Sequence, residues 1–347
     1  MLQAKVLVLG GGLAACAAAI TLAQSDVEVA VVHLPASSGV ELPESLMPAA
    51  LPLLAHLGID IEKVNQQFPR LTSRLSKWGR APIRHDDMRP RFDAPILLGK
   101  AKFQSLLMTR LRTLGCTVRE IDRIDSAIEV ANSVRVTARS SDGTGLLEFA
   151  GEAAIDATGR ASALAHSLGV RRRIFDSLVS FWIFGETGGV LNQATVTATV
   201  HDGWIFCAGS GDGRAAIGFF TAGAHLASKP NAMAIVERAS AILELGEIIE
   251  AFPGWAESKV ITRNAATTLL NVAGGLRWLA CGDSLQTIDP LASRGNFTAL
   301  RQGILAAECA KGALRDDHSL MASYAWAARR EFVETLRHRQ GYYGLVV

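Results

Sequence analysis

The sequence predicts an α/β protein in which a parallel sheet is interrupted by an inserted antiparallel one. Three observations predict it. A strand–turn–helix–strand unit opens the chain, two apolar strands far downstream end in Asp/Gly signatures, and part of the stretch between them alternates with period two. The 347 residues exceed what one compact core usually holds, and 49% hydrophobic against 20% charged residues supplies apolar material for two closely connected domains.

Val6-Leu7-Val8-Leu9 is a buried-strand run, and Gly10-Gly11-Gly12-Leu13-Ala14-Ala15 is the turn after it. Cys16 to Ala23 reads as an alanine-rich helix with small residues facing the sheet, and Val27 to Val32 as a second strand. Strand, G-x-G-x-x-A, helix and strand in this order form the dinucleotide fingerprint of a Rossmann-type unit. Gly10 permits the tight turn. Gly12 removes a side chain where a pyrophosphate must approach. Leu13 and Ala14 complete the turn as candidate cofactor-binding residues, and Ala15 keeps the helix close to the strand. The helix N-terminus offers free N–H groups and a positive dipole end to phosphates. The alternative is a glycine turn with no ligand. At the end of the second strand, where an acidic residue should hold a ribose, stands His33. It either replaces the carboxylate with a single hydrogen bond or is a plain strand-end histidine. The apolar stretch from Val6 to Ala23 resembles a signal peptide in composition, but three consecutive glycines interrupt it. No other stretch approaches transmembrane length, and a cytoplasmic protein without a membrane span is the expectation.

Downstream, Ala154-Ile155-Asp156-Ala157-Thr158-Gly159-Arg160 and Trp278-Leu279-Ala280-Cys281-Gly282-Asp283 read as strands with Asp/Gly ends. Ile288-Asp289-Pro290-Leu291-Ala292-Ser293-Arg294-Gly295-Asn296-Phe297 follows, then a helix from Thr298 to about Gly312. Between them the texture changes. Leu178 to Phe184 is a strand, and Ala194 to Val200 alternates threonine with apolar residues. Gly203-Trp204-Ile205-Phe206 and Ala216 to Phe220 flank Gly211-Asp212-Gly213, a hairpin turn. A helix is predicted over 231–250 and an amphipathic, Arg-rich one over 319–340.

The Gly-Asp and Asp-Pro-x-x-x-x-Gly block resembles the FAD-dependent monooxygenase superfamily, and Asp156-Ala157-Thr158-Gly159 is similar to its D-A-T-G segment. The resemblance implies FAD rather than NAD, a choice the glycines leave open. It implies that Asp283 binds the ribityl chain and that Pro290, Gly295 and Asn296 lie at the flavin pyrimidine edge. Glu44-Ser45-Leu46-Met47-Pro48 resembles the G-E-S-L-P-P segment of the tryptophan-halogenase-like branch, with Pro43 replacing its glycine. Ser76-Lys77-Trp78-Gly79 and Lys100-Ala101-Lys102-Phe103 resemble two more segments, with Lys100 where Arg is usual. Length and the Asp-Pro-Leu-Ala-Ser block are most similar to the small flavoproteins that modify tryptophan in precursors of quinone-cofactor oxidases. The implied fold is p-hydroxybenzoate-hydroxylase-like: 1–75, 100–170 and 271–312 form the FAD-binding domain, 76–99 and 171–270 the substrate domain, and 313–347 a C-terminal helix.

The branch's halogenases carry W-x-W-x-I-P and an essential lysine. Here Trp204 matches the first tryptophan, but Phe206 and Ala208-Gly209 depart from the rest. Lys77 lies in the lysine's region at the wrong spacing, and a surface lysine beside a buried Trp78 is the preferred reading. The candidate catalytic residues are thus Trp204, Trp78 and Lys77, with Trp78, Trp182 and Trp204 either lining an aromatic pocket or packing a core. No second nucleotide fingerprint follows a strand, so electrons come from transiently bound pyridine nucleotide or a separate flavin reductase. The expected function is hydroxylation of an aromatic, indole- or tryptophan-like substrate, including tryptophan in a protein precursor. The alternatives are a flavin halogenase, a non-oxygenating FAD oxidoreductase, and an assembly partner without catalytic flavin.

A net charge of +2 provides no field that selects nucleic acid, and Arg171-Arg172-Arg173 reads as a solvated face, with an acidic partner as the lesser alternative. Five cysteines without C-x-x-C spacing read as free thiols, and eight histidines without H-x-x-H spacing support no metal site.

Overall fold

A computed structural model describes residues 1–35, 40–88, 94–143, 145–209 and 213–345. The opening unit is β1 (Leu2–Leu9), α1 (Leu13–Ala23) and β2 (Val29–His33). A long connection carries β3 (Glu44–Leu46), α2 (Leu51–His56), α3 (Ile61–Gln67), β4 (Ser73–Lys77), β5 (Arg84–Asp87) and β6 (Ile96–Leu98). The chain returns through α4 (Lys100–Thr113), β7 (Thr117–Val130), β8 (Ser133–Ser140), β9 (Leu146–Asp156) and α5 (Ala163–Ser167). Next come β10 (Arg172–Ile174), β11 (Leu178–Glu186), β12 (Ala194–Val200), β13 (Gly203–Gly209), β14 (Arg214–Ala222), α6 (Ala232–Ser240), α7 (Leu243–Ala251) and β15 (Ile261–Asn264). The last elements are β16 (Thr268–Leu270), β17 (Trp278–Ala280), β18 (Gln286–Thr287), α8 (Gly295–Ala313) and α9 (Ser319–Gly344).

The α/β class and the inserted sheet are both present. Strands β17, β9, β1, β2 and the start of β7 run parallel, as the apolar runs require, and β8 bridges β7 and β9 in antiparallel pairing. Helix α1 is buried along its length, from Leu13 to Leu22. Its small residues face a second helix as well as the sheet. Gly303 of α8 lies against the Ala14 carbonyl, and a Cβ there would come within 2.9 Å of Ala17 Cβ. Two helices pack this closely only over glycine and alanine.

The second sheet has seven strands, in the order β15-β11-β14-β13-β12-β4-β5, antiparallel except where β4 joins β12. Strand β4 runs through the limit drawn between residues 75 and 76, so Ser73 to Leu75 pair within this sheet. One face packs under α6 and α7, around Ile183, Ile205, Phe219 and Trp255. The other carries Leu178, Trp182, Trp204 and Phe220, with Trp78, Leu291 and Tyr343 against them. The helix expected over 231–250 is two helices, because Ile242 turns extended (φ −99°, ψ 114°) and buries its side chain. Of the predicted hairpin turn, Gly211 and Asp212 lie outside the described residues. The C-terminal helix α9 continues to Gly344, past the expected limit of 340.

Candidate functional site

The glycine turn is built as its sequence demands. Gly10 has φ +125°, and a Cβ there would run into the Ala157 carbonyl, so the turn is locked against the Asp156-Ala157-Thr158 segment. Gly12 has the opposite surroundings, since a Cβ would meet nothing within 4 Å. The chain approaches open space there with no side chain in the way. Leu13, Ala14 and Ala15 turn their side chains into the core and offer only backbone N–H. The first helical bond of α1 runs from Cys16 N to Gly12 O, no side chain caps the helix, and no acid sits in its first turn. Gln104 holds the Gly11 carbonyl at 2.6 Å. Uncapped N–H groups beside an open glycine turn can take an anionic pyrophosphate.

His33 ends β2 beside this turn. Its Nδ1 lies 2.7 Å from the Leu34 carbonyl, and since a carbonyl only accepts, Nδ1 carries the proton. That leaves Nε2 as the ring nitrogen for one ribose hydroxyl. Glu120 of β7 is its register partner, a carboxylate that linear reading does not bring to this place.

The remaining cofactor candidates cluster around Asp283 and the start of α8. Asp283 keeps 49% of its side chain open, yet protein crowds it on the other sides. Burial pushes its carboxyl above the usual range, opposed by Arg160, Lys100 and Arg172 and reinforced by Glu44. The raised direction and the open surface are compatible when the carboxylate sits on the floor of a cleft. Lys100 Nζ lies 3.1 Å from Glu44, so Glu44 is engaged on the Asp283 side. The Ser45 carbonyl accepts from Asn296 Nδ2 at 3.0 Å, which ties β3 to the start of α8. Pro290 begins the exposed turn before α8, and Gly295 opens the helix with free space at its Cα.

Two arginines in this wall carry no motif of their own. Arg160 lies 3.8 Å from Asp283 and donates to the Ala266 carbonyl at 3.1 Å. Arg172 corrects the reading of its run as a solvated face. It points inward, to the carbonyls of Asp283 (2.8 Å) and Ser284 (2.6 Å) and to Ser162 and Thr268. Neighbouring Arg173 stays exposed, as does Ile174. Asp156 is wholly buried and saturated by Thr158, Ser284 and Ala165, which makes it a strut for this wall.

The catalytic candidates divide. Trp78 and Trp204 come together with ring centroids 6.2 Å apart, and Trp204 stacks flat on Phe220 at 3.8 Å. Trp182 meets Phe220 edge-on at 5.5 Å. Lys77 is elsewhere. Successive strand residues point to opposite faces, and Lys77 pairs with Ala198 toward α6, beside Thr199, Glu237 and Arg238. It therefore does not share the face of Trp78 and Trp204. Burial pushes the thiols of Cys16 and Cys207 up to about 12, which leaves them inert as nucleophiles.

The chain matches the family model described as "FAD binding domain" over residues 3–330, and it belongs to that family. It is similar to a tryptophan 2-halogenase of Chondromyces crocatus, 24% identical over 321 residues, a match that covers 88% of this chain and 61% of the relative. The chain thus spans less than two thirds of the length of that curated relative. The fold is similar to that of the myxobacterial chondrochloren halogenase CndH (TM-score 0.86, 18% identity, 99% of this chain and 83% of the other). It is also similar to the peptidyl tryptophan dihydroxylase QhpG (TM-score 0.79, 22% identity, 99% and 75%). FAD is the cofactor, and the open glycine turn, the free helix end and the ringed Asp283 fit it. No helix among the described residues is long and apolar enough to cross a membrane.

Proposed function

We propose that the chain is an FAD-dependent monooxygenase that hydroxylates an electron-rich aromatic ring of the indole class, with a tryptophan in a protein as the fitting form. The observation that carries this is the Trp78–Trp204 face, hydrogen-bonded through Tyr343 to Asp289 of the turn that starts α8. The resemblance to flavin monooxygenases assigns that turn to the flavin edge, so the face would hold a ring beside the cofactor. The similarity to a tryptophan halogenase and a tryptophan dihydroxylase supports the substrate class.

Bound FAD, once reduced, supplies the electrons that activate oxygen. The chain's own residues do the rest. The Gly10–Ala15 turn and the α1 N–H groups grip the pyrophosphate, and Asp283 accepts from the ribityl hydroxyls. Arg160, Arg172 and Lys100 balance the charge around it. Trp78, partly buried and backed by the buried Trp204, would orient the ring by edge and face contacts and exclude water. Overall, one oxygen atom of O2 replaces hydrogen as hydroxyl on the ring, and the other leaves as water with two electrons and two protons. A separate flavin reductase or a transiently bound pyridine nucleotide provides the electrons.

Hydroxylation is preferred to halogenation because Lys77, the lysine in the halogenase region, stands on the far face of the sheet. The test supplies reduced FAD, oxygen and chloride or bromide with a tryptophan-containing protein partner and weighs the product. Added oxygen mass is expected. Added halogen mass overturns the reading, and Lys77→Ala should leave product formation unchanged.

A further inference from the structure

Asp289 is buried and fully engaged. Its Oδ1 accepts from Leu291 N at 3.0 Å and caps the turn that leads into α8. Its Oδ2 accepts from Arg339 Nε at 2.9 Å and from the Tyr343 hydroxyl at 3.0 Å. Both donors come from α9, one helical turn apart. The same Tyr343 oxygen accepts from Trp204 Nε1 at 2.9 Å. One phenol therefore bridges Trp204 of the aromatic sheet and Asp289 of the α8 turn, where Leu291 also packs on the same face and Arg339 links Asp289 to Asp176. Anchoring α9 does not require this bridge. Tyr324 already donates to the Ala280 carbonyl at 2.7 Å, Arg339 reaches Asp176 at 3.4 Å, and Phe332 packs on Phe175 at 5.0 Å. Burial, with Asp289 beside it, pushes the Tyr343 hydroxyl well above its ordinary value, so it stays a proton donor to the carboxylate. Its ring also stands edge-on to Trp78 at 5.9 Å.

We propose that Tyr343 is a positioning residue that fixes the aromatic face and the Asp289–Gly295 turn relative to one another, so that the ring-holding and flavin-facing parts of the site move as one. The proposal rests on the FAD and aromatic-ring reading above. Without the hydroxyl, the Trp204 N–H loses its acceptor and Asp289 loses one of its two side-chain donors. Both ends then loosen. The α8 N-terminus is the positive end of a dipole that favours negative charge on a reduced flavin, so a looser turn makes the flavin harder to reduce. A looser Trp204 holds an aromatic guest less well.

The experiment uses the FAD-loaded full chain, Tyr343→Phe, and Trp326→Phe as a control on the solvent side of α9, where Trp326 is 63% exposed. FAD affinity, flavin midpoint potential, affinity for indole as the probe, and melting temperature are measured. In Tyr343→Phe, FAD affinity should stay within about twofold, the potential should become more negative, and indole binding should weaken by about fivefold, the scale of one lost hydrogen bond. Trp326→Phe should change neither potential nor indole affinity. A Tyr343→Phe protein that changes only one of these two, or neither, overturns the coupling whatever its melting temperature does. If Tyr343→Phe proves too unstable to load, Trp204→Phe, which removes the N–H that the phenol accepts, should shift the potential in the same direction. An unshifted potential there overturns the proposal too. Failure of the wild type to bind FAD refutes the underlying reading instead, and is seen separately in the first titration.

Discussion

The glycine turn and the aromatic face are built in opposite ways. The turn comes from one short segment, Gly10 to Ala15, and works through backbone N–H groups that any sequence offers once the helix starts there. The aromatic face comes from Trp78, Trp182, Trp204, Phe220 and Tyr343, drawn from separate elements spread over most of the chain. A local backbone device is tied to its own sequence. A surface assembled from distant side chains is tied to the packing of the whole inserted sheet and of α9. Cofactor binding should therefore fail through single local changes, whereas the aromatic face should fail through loss of packing.

The sharpest break in the first region is Gly10→Ala. The residue has φ +125° and its Cβ would strike the Ala157 carbonyl, so strain and displacement together should cost about 3 kcal/mol or more, with loss of FAD binding. A melting curve and an FAD titration measure both. Trp204→Ala opens the second region. Removing a 3% exposed indole stacked on Phe220 should cost about 3–5 kcal/mol in urea unfolding. FAD affinity in the folded fraction should hold within about twofold; its loss would show that the two regions are not separable.

Asp283→Asn separates binding from stability. FAD should weaken by about 1–3 kcal/mol, the cost of a charged acceptor. The apoprotein should respond in the opposite sense. Burial raises the Asp283 carboxyl in the folded state, so the folded chain favours its protonated form. The stability that goes with that form is fully present below the ordinary carboxylate range and is lost as pH rises through the raised value. At neutral pH the Asn variant without FAD should therefore melt at or above the wild type, and the difference should vanish in acid. A lower melting point at neutral pH would mean that the three cations, not burial, dominate the site. His33→Glu should have the smallest effect, tightening FAD by about 1 kcal/mol because a carboxylate accepts from both ribose hydroxyls. Equal or weaker binding by titration would point to Glu120, already in register beside it.

The same contrast explains what is legible in the sequence. The parallel sheet, the glycine turn and the Asp283 strand are each encoded by contiguous residues with their own physical reasons. The break in the helix over 231–250 is hidden because apolar periodicity continues smoothly through Ile242, while the break serves a tertiary contact. Arg172 is hidden because three adjacent arginines look solvated as a run, and only the distant Asp283 and Ser284 carbonyls draw one of them inward. Adjacency groups Lys77 with Trp78, although adjacency in a strand means opposite faces. Tyr343 and Asp289 lie 54 residues apart and share no pattern, so nothing short of the fold shows that one holds the other.

On the proposed function, the aromatic face and the Asp283 wall form one site. Titrating indole into the FAD-loaded chain while recording the flavin absorption spectrum tests it most directly, with Trp78→Ala in parallel. A ring held on the Trp78–Trp204 face beside the flavin should perturb the flavin bands saturably, and Trp78→Ala should weaken the response several-fold, since stacking on an aromatic platform contributes about 1 kcal/mol. An unperturbed flavin spectrum at indole concentrations that quench tryptophan fluorescence would place the bound ring away from the cofactor, in a separate site.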